Sequence, residues 1–260
     1  MLSPVEAFLL GALQGVTEWL PISSSGHLVI AQTALGLSLP LVFDALLHLG
    51  TLGVTLAFFR TDVWRILKSA TRLDFRSDDG RYVLLILVGT FPTVLIALLF
   101  RAFLEPLFYS PKAVALAYLA IAPLLFLSRP RSGRETLNYW DALLIGFFQG
   151  VAIAPGISRS GATIGIGLIR GLSAKTAAKY SFLLSVPSII GAVALESTAV
   201  SVSDPSLSVY LAAMLVAALV GYFSLRLLLR TLTGGRFHLF AYYCATLGLL
   251  VLLATSLSTP

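Results

Sequence analysis

Long apolar runs separated by short polar ones dominate this chain. Six of them, at about 39–59, 81–100, 112–128, 176–196, 207–229 and 237–257, are long enough for a helix to cross a hydrocarbon core of about 30 Å. Two further regions, 4–35 and 139–170, are apolar at both ends but interrupted by PISSSG and PGISRSG. Proline and glycine stop a helix, and non-helical backbone at membrane depth is tolerated only inside protein or along a watery cavity. Each region therefore predicts a re-entrant pair of short helices that returns to its own side. The alternation of a β-barrel is absent. The expected fold is an all-α polytopic membrane protein with six transmembrane helices and two re-entrant helix pairs.

The two interrupted regions resemble each other. At an offset of 135, LLGALQGV (9–16) meets LIGFFQGV (144–151), and Ser23, Ser25 and Gly26 meet Ser158, Ser160 and Gly161; at 137, FDALLHLGTL (43–52) faces YSFLLSVPSI (180–189). This predicts one membrane domain, 1–260, built of two repeats, 1–135 and 136–260. Each holds a re-entrant pair and three spans, and an odd number of crossings turns the second repeat upside down.

Composition agrees. Hydrophobic residues make up 57% and charged ones 12%, with a mean hydropathy of +0.91, too apolar for a soluble domain. The formal charge of +6 is carried by loops rather than by a nucleic-acid face. Fifteen of the eighteen Lys and Arg fall in 60–81, 129–138, 170–179 and 226–236, on one predicted side, and two, Arg101 and Lys112, on the other. The positive-inside rule makes the basic side cytoplasmic, with both termini and the mouth of the first pair facing outward. No basic n-region precedes the first apolar run, so no signal peptide is expected. The lone Cys244 reads as a small packing residue. In DVWRILKSATRL, Val63, Ile66, Leu67 and Ala70 form a helical face opposite Arg65, Lys68 and Arg72, as in a helix lying on the membrane surface.

The remaining basic residue, Arg159, lies inside the second polar turn, and Glu18 and His27 lie in the first. Ionisable groups at membrane depth are candidate functional groups. With the halves folded together, the Arg159 fork, two helix N-termini and the hydroxyls of Ser23, Ser24, Ser25, Ser158, Ser160 and Thr163 describe a site for phosphate or diphosphate. A carboxylate at Glu18 would repel such an anion unless a cation stands between them. Mg²⁺ or Ca²⁺, held by Glu18, the Gln14 carbonyl one turn earlier and substrate oxygens, resolves this. His27 suits proton transfer near neutrality, and the set is sufficient for phosphoryl transfer to serine or to water. The competing readings are serines as ordinary helix caps, Glu18 and Arg159 as a buried ion pair, and His27 bonded to a carbonyl. His48, after Asp44, reads as a satisfied interior histidine.

QGVTEWLPISSSGHL and PGISRSGATI, with FDALLHLGT, DALLIGFFQG and KYSFLLSVP, resemble the undecaprenyl-diphosphatase family, the bacitracin-resistance membrane phosphatases, over essentially the whole chain. The resemblance implies release of the terminal phosphate of undecaprenyl diphosphate, recycling the lipid carrier of bacterial cell-wall synthesis at the outer face of the inner membrane. It implies Glu18 as metal-associated acid, Ser24 as nucleophile, His27 as acid/base and Arg159 as phosphate ligand, with Ser23, Ser158, Ser160 and Thr163 in support. Gln14 departs from the pattern, standing where many relatives have a second Glu. The expected partners are a polyprenyl diphosphate lipid and membrane lipids, with a homodimer left open and no nucleic acid. The competing class is a transporter or lipid flippase, which the inverted repeat also suits; neither Glu18 nor His27 is needed for anion transport alone.

Overall fold

The computed structural model describes residues 2–129, 133–196 and 207–257 of the protein, the side chain of Glu196 excepted. Among these, regular structure is helical, apart from an isolated bridge between Arg134 and Leu172. Ser3 and Glu6 form a capping box that starts α1 (Pro4–Thr17), with Pro4 where a missing N–H costs nothing. After a six-residue break comes α2 (Ser24–Ala34), then α3 (Leu41–Phe58), α4 (Arg60–Thr71), α5 (Asp78–Leu99) and the short α6 (Arg101–Leu104). A 3₁₀ turn at Glu105–Tyr109 leads into α7 (Pro111–Leu127). A second series follows: α8 (Tyr139–Val151), a break, α9 (Arg159–Ile169), α10 (Ala174–Glu196), α11 (Leu207–Thr233) and α12 (Phe240–Leu257).

Five helices, α3, α5, α10, α11 and α12 with the 3₁₀ turn before it, are long and apolar enough to cross a membrane. The expected span 112–128 falls on α7, of 17 residues; it makes a sixth crossing when joined to residues 101–109, from which it departs at 107°. Ser110 and Pro111, cap and first residue of α7, set this corner. Leu87, Phe91 and Leu98 of α5, Leu215, Leu219 and Phe223 of α11, and Leu250 and Leu253 of α12 are all exposed. So much outward apolar surface belongs in hydrocarbon, and the protein is a multi-pass membrane protein.

Close packing joins the two series. α1 lies along α11 as α8 lies along α5, while α3 packs on α10 and α7 on α12. The glycines of the matching LLGALQGV and LIGFFQGV make this possible. A Cβ on Gly11 would run into the Ala213 carbonyl, and one on Gly146 into the Gly89 carbonyl. Cys244 is fully buried, and its thiol donates to the Pro21 carbonyl at 3.5 Å. The amphipathic face predicted for α4 is divided: Val63 and Ile66 pack on the protein core, whereas Leu67 and Trp64 are exposed.

At the loop end of α8, Asp141 completes a capping box with Asn138. Its carboxylate also accepts two hydrogen bonds from Arg134, at 2.6 and 2.8 Å, and one from Arg170 at 3.1 Å. Burial pushes this carboxyl up, but the Arg134, Asn138 and Arg170 hydrogen bonds outweigh it and hold it below its ordinary value. The clasp fixes the start of α8 to the end of α9.

Candidate active site

The two polar breaks meet. Ser23 caps α2 by accepting from the Gly26 N–H at 3.3 Å, and Ser158 caps α9 by accepting from the Gly161 N–H at 3.0 Å. Ser23 has φ 62°, a left-handed conformation uncommon outside glycine. It is held there from two sides: the Gly156 N–H donates to its Oγ at 3.1 Å, and the Tyr118 hydroxyl donates to its carbonyl at 3.1 Å. Gly156, at φ 96°, lies against the Val114 carbonyl where a Cβ would collide. The Ser160 hydroxyl donates to the Leu20 carbonyl at 3.2 Å, tying the second motif to the first break.

Glu18, next to the end of α1, is the hub. Its Oε2 accepts from the Ser24 hydroxyl at 2.6 Å and from Gln14 Nε2 at 3.0 Å, and lies 3.3 Å from His48 Nε2. Its Oε1 accepts from Arg159 Nη2. Ser24 and Arg159 are each the first residue of the helix after its break, and both converge on one carboxylate. A buried charge is tolerated only when paired and hydrogen-bonded, and Glu18 is both. The buried ion pair weighed from sequence is thus present. It leaves two polar atoms without a hydrogen-bond partner in buried positions: Arg159 Nη1, a donor, and Gln14 Oε1, an acceptor.

The structure brings Gln14, Glu18, Ser24 and Arg159 together as a contact set, and gathers Ser23, Ser25, Ser158 and Ser160 at the two breaks. Ser25 Oγ is 3.3 Å from Ser23 Oγ, and Ser158 Oγ is 3.2 Å from Ser160 Oγ. Thr163 lies one turn further along α9; its hydroxyl donates to the Arg159 carbonyl at 2.7 Å and lies 2.5 Å from Ser181 Oγ, joining α9 to α10. His27 bonds elsewhere than the Glu18 hub: Nδ1 to the Ser23 carbonyl and Tyr118, Nε2 to Tyr243.

Three residues make contacts that the sequence does not announce. His48, expected as a satisfied interior histidine, has Nδ1 2.7 Å from the Asp44 backbone carbonyl, but its other nitrogen reaches Glu18. Tyr118 and Tyr243 lie in ordinary apolar spans, and only the rotation of α7 and α12 turns them to His27. Among the described residues no three His, Cys, Asp or Glu side chains group as metal ligands. The oxygens at hand for a cation are those of Glu18 and the unpartnered Gln14 Oε1.

A sequence model described as "Bacitracin resistance protein BacA" matches residues 7–250. The chain belongs to this family. BacA relatives named undecaprenyl-diphosphatase include proteins of Methanosphaera stadtmanae, 38% identical over 97% of this chain and 98% of the relative, and of Carboxydothermus hydrogenoformans, 41% identical over 95% of each. A third, from Korarchaeum cryptofilum, is 39% identical over 95% of this chain and 97% of its own length. BacA membership accords with an all-helical membrane protein whose polar residues are gathered at two breaks.

Proposed function

We propose that this protein is a membrane phosphatase that hydrolyses undecaprenyl diphosphate to undecaprenyl phosphate and inorganic phosphate. The observation that carries the reading is the unpartnered, buried Arg159 Nη1 beside a serine whose hydroxyl donates to a carboxylate. A guanidinium with a spare donor at the start of a helix is suited to a phosphate oxygen, and Ser24 with Glu18 is a nucleophile with its base. The names of the relatives supply the lipid.

In the proposed reaction the terminal phosphate sits on Arg159 and the α2 and α9 N-termini, with Ser23, Ser25, Ser158 and Ser160 orienting its oxygens and Thr163 steadying Arg159. Ser24 Oγ attacks the terminal phosphorus as its proton passes to Glu18. The bond to the bridging oxygen breaks, and that oxygen leaves with the lipid monophosphate. Water then hydrolyses the phosphoserine, and His27 serves as acid/base. Direct attack by water, with Glu18 as base, is the alternative within the same site. Gln14 Oε1 and Glu18 fit as protein ligands of Mg²⁺ or Ca²⁺, substrate oxygens completing the shell; the ion would supply charge neutralisation between Glu18 and the phosphates.

The reading includes an inverted repeat with re-entrant pairs α1–α2 and α8–α9, supported by the matching contacts of α1 with α11 and α8 with α5. With the basic loops cytoplasmic, the site opens outward in a bacterial inner membrane. There it recycles the cell-wall lipid carrier and confers bacitracin resistance.

The test is phosphate release from a prenyl diphosphate by purified protein in detergent, with and without Mg²⁺ or Ca²⁺, alongside His27→Ala and Arg159→Lys. Metal-dependent release by the native chain, lost in both folded variants, is expected. A folded native chain that binds the lipid and releases nothing under any metal sinks the enzyme reading in favour of transport.

A further inference from the structure

The hydrogen bonds around His27 fix more than its position. Nδ1 lies 2.7 Å from the Ser23 carbonyl, and a carbonyl only accepts, so Nδ1 carries the proton. The Tyr118 hydroxyl spends its own proton on the same carbonyl at 3.1 Å, and its oxygen, 2.7 Å from Nδ1, shares the imidazole N–H. In the neutral ring Nε2 is therefore the lone-pair nitrogen. It is 2.7 Å from the Tyr243 hydroxyl, which must donate to it. The Tyr243 ring stacks on the imidazole at 5.8 Å and 17°, whereas Tyr118 meets it edge-on at 5.7 Å and 86°. Tyr118 is fully buried in α7 and Tyr243 is exposed at the surface of α12, so the pair grips the ring from two helices that pack on each other.

We infer that Tyr118 and Tyr243 are positioning residues for His27, Tyr118 holding the proton on Nδ1 and Tyr243 presenting Nε2 as the nitrogen that exchanges protons during turnover. Tyrosine suits the second task because its hydroxyl donates to a bare Nε2 and accepts from a protonated one, so the ring stays in place through both charge states. Tyr118 has a second effect. By holding the Ser23 carbonyl it steadies the left-handed residue on which Ser24 follows. The part concerning turnover rests on the phosphatase reading; the tautomer and its two tyrosine contacts do not.

The experiment is nitrogen NMR of protein labelled at its three histidines, in detergent at a pH where the imidazoles are neutral, with His27→Gln assigning the signal. The expected result is a protonated Nδ1 and a hydrogen-bonded, unprotonated Nε2. Tyr243→Phe keeps the stacked ring and should shift the Nε2 resonance alone. In turnover, removal of a positioned acid/base costs about 10²–10⁴-fold, and Tyr243→Phe should lose about tenfold in kcat with KM nearly unchanged. Tyr118→Phe tests the other contact by the Nδ1 resonance, so its failure to fold leaves the Tyr243 arm intact. An Nε2–H tautomer in the native chain, or Tyr243→Phe with unchanged Nε2 resonance and kcat, overturns the inference. The expected tautomer in a protein that releases no phosphate would overturn the phosphatase reading and leave the assignment of His27 standing.

Discussion

Glu18 and Arg159 depend on each other more than on any helix. Removing one partner of a buried pair typically costs about 3–5 kcal/mol, because the other charge is left uncompensated in a poorly solvating site. Arg159→Met should therefore destabilise as well as inactivate, through Glu18, whose side chain is only 4% exposed. Glu18→Gln combined with Arg159→Met should regain most of the thermal stability in detergent without regaining activity. A double variant as unstable as the sum of the singles would show that the pair is not coupled. Of this cluster, Glu18, Ser24 and Arg159 were legible in the sequence because polar residues are conspicuous in an apolar chain. His48 was legible as a residue and not as a neighbour of Glu18, since nothing in the sequence specifies how α3 is rotated against α1.

At the level of helices, two devices hold the α8–α9 unit. The first is close approach at Gly146, where any Cβ meets the Gly89 carbonyl; Gly53, in α3, has nothing within 4 Å. Overpacking of this kind costs about 1–3 kcal/mol, so Gly146→Ala should lower the unfolding temperature while Gly53→Ala leaves it within a degree or two. The second is the Asp141 clasp, at the loop end of α8 and outside the spanning helices. Its carboxyl is held below its ordinary value of 3.8, so its stabilisation is complete above that value and fades as pH falls through the lower, folded one. Asp141→Asn should thus lower stability at neutral pH and flatten the decline on acidification. An unchanged acid limb would place the acid sensitivity elsewhere. The capping residues of this unit were legible, Asn138 and Asp141 standing at the right spacing, but the arrival of Arg134 and Arg170 was not.

For the whole molecule the testable feature is orientation. Cys244 is buried, so a cysteine introduced at an exposed position reports accessibility against a quiet background. In right-side-out vesicles an impermeant thiol reagent should label Lys112→Cys and spare Arg76→Cys until the membrane is opened. Labelling of Arg76→Cys in sealed vesicles would reverse the assignment and turn the mouth of the site inward.

By itself the sequence determined the placement of five of the six expected apolar spans, the two breaks and the residues gathered in them. Each follows from local chemistry: the length of apolar run a bilayer demands, the helix-stopping character of Pro and Gly, and the capping geometry of Ser23 and Ser158. What only the tertiary structure decided was who meets whom. Ser24 and Arg159, 135 residues apart, share one carboxylate because α2 and α9 start at the same point in space. His27 faces Tyr118 and Tyr243 instead of that carboxylate because of how α7 and α12 are turned. A helix in hydrocarbon is apolar on every side, so its sequence carries little record of its rotation, and the packing of small residues against neighbouring backbone sets it.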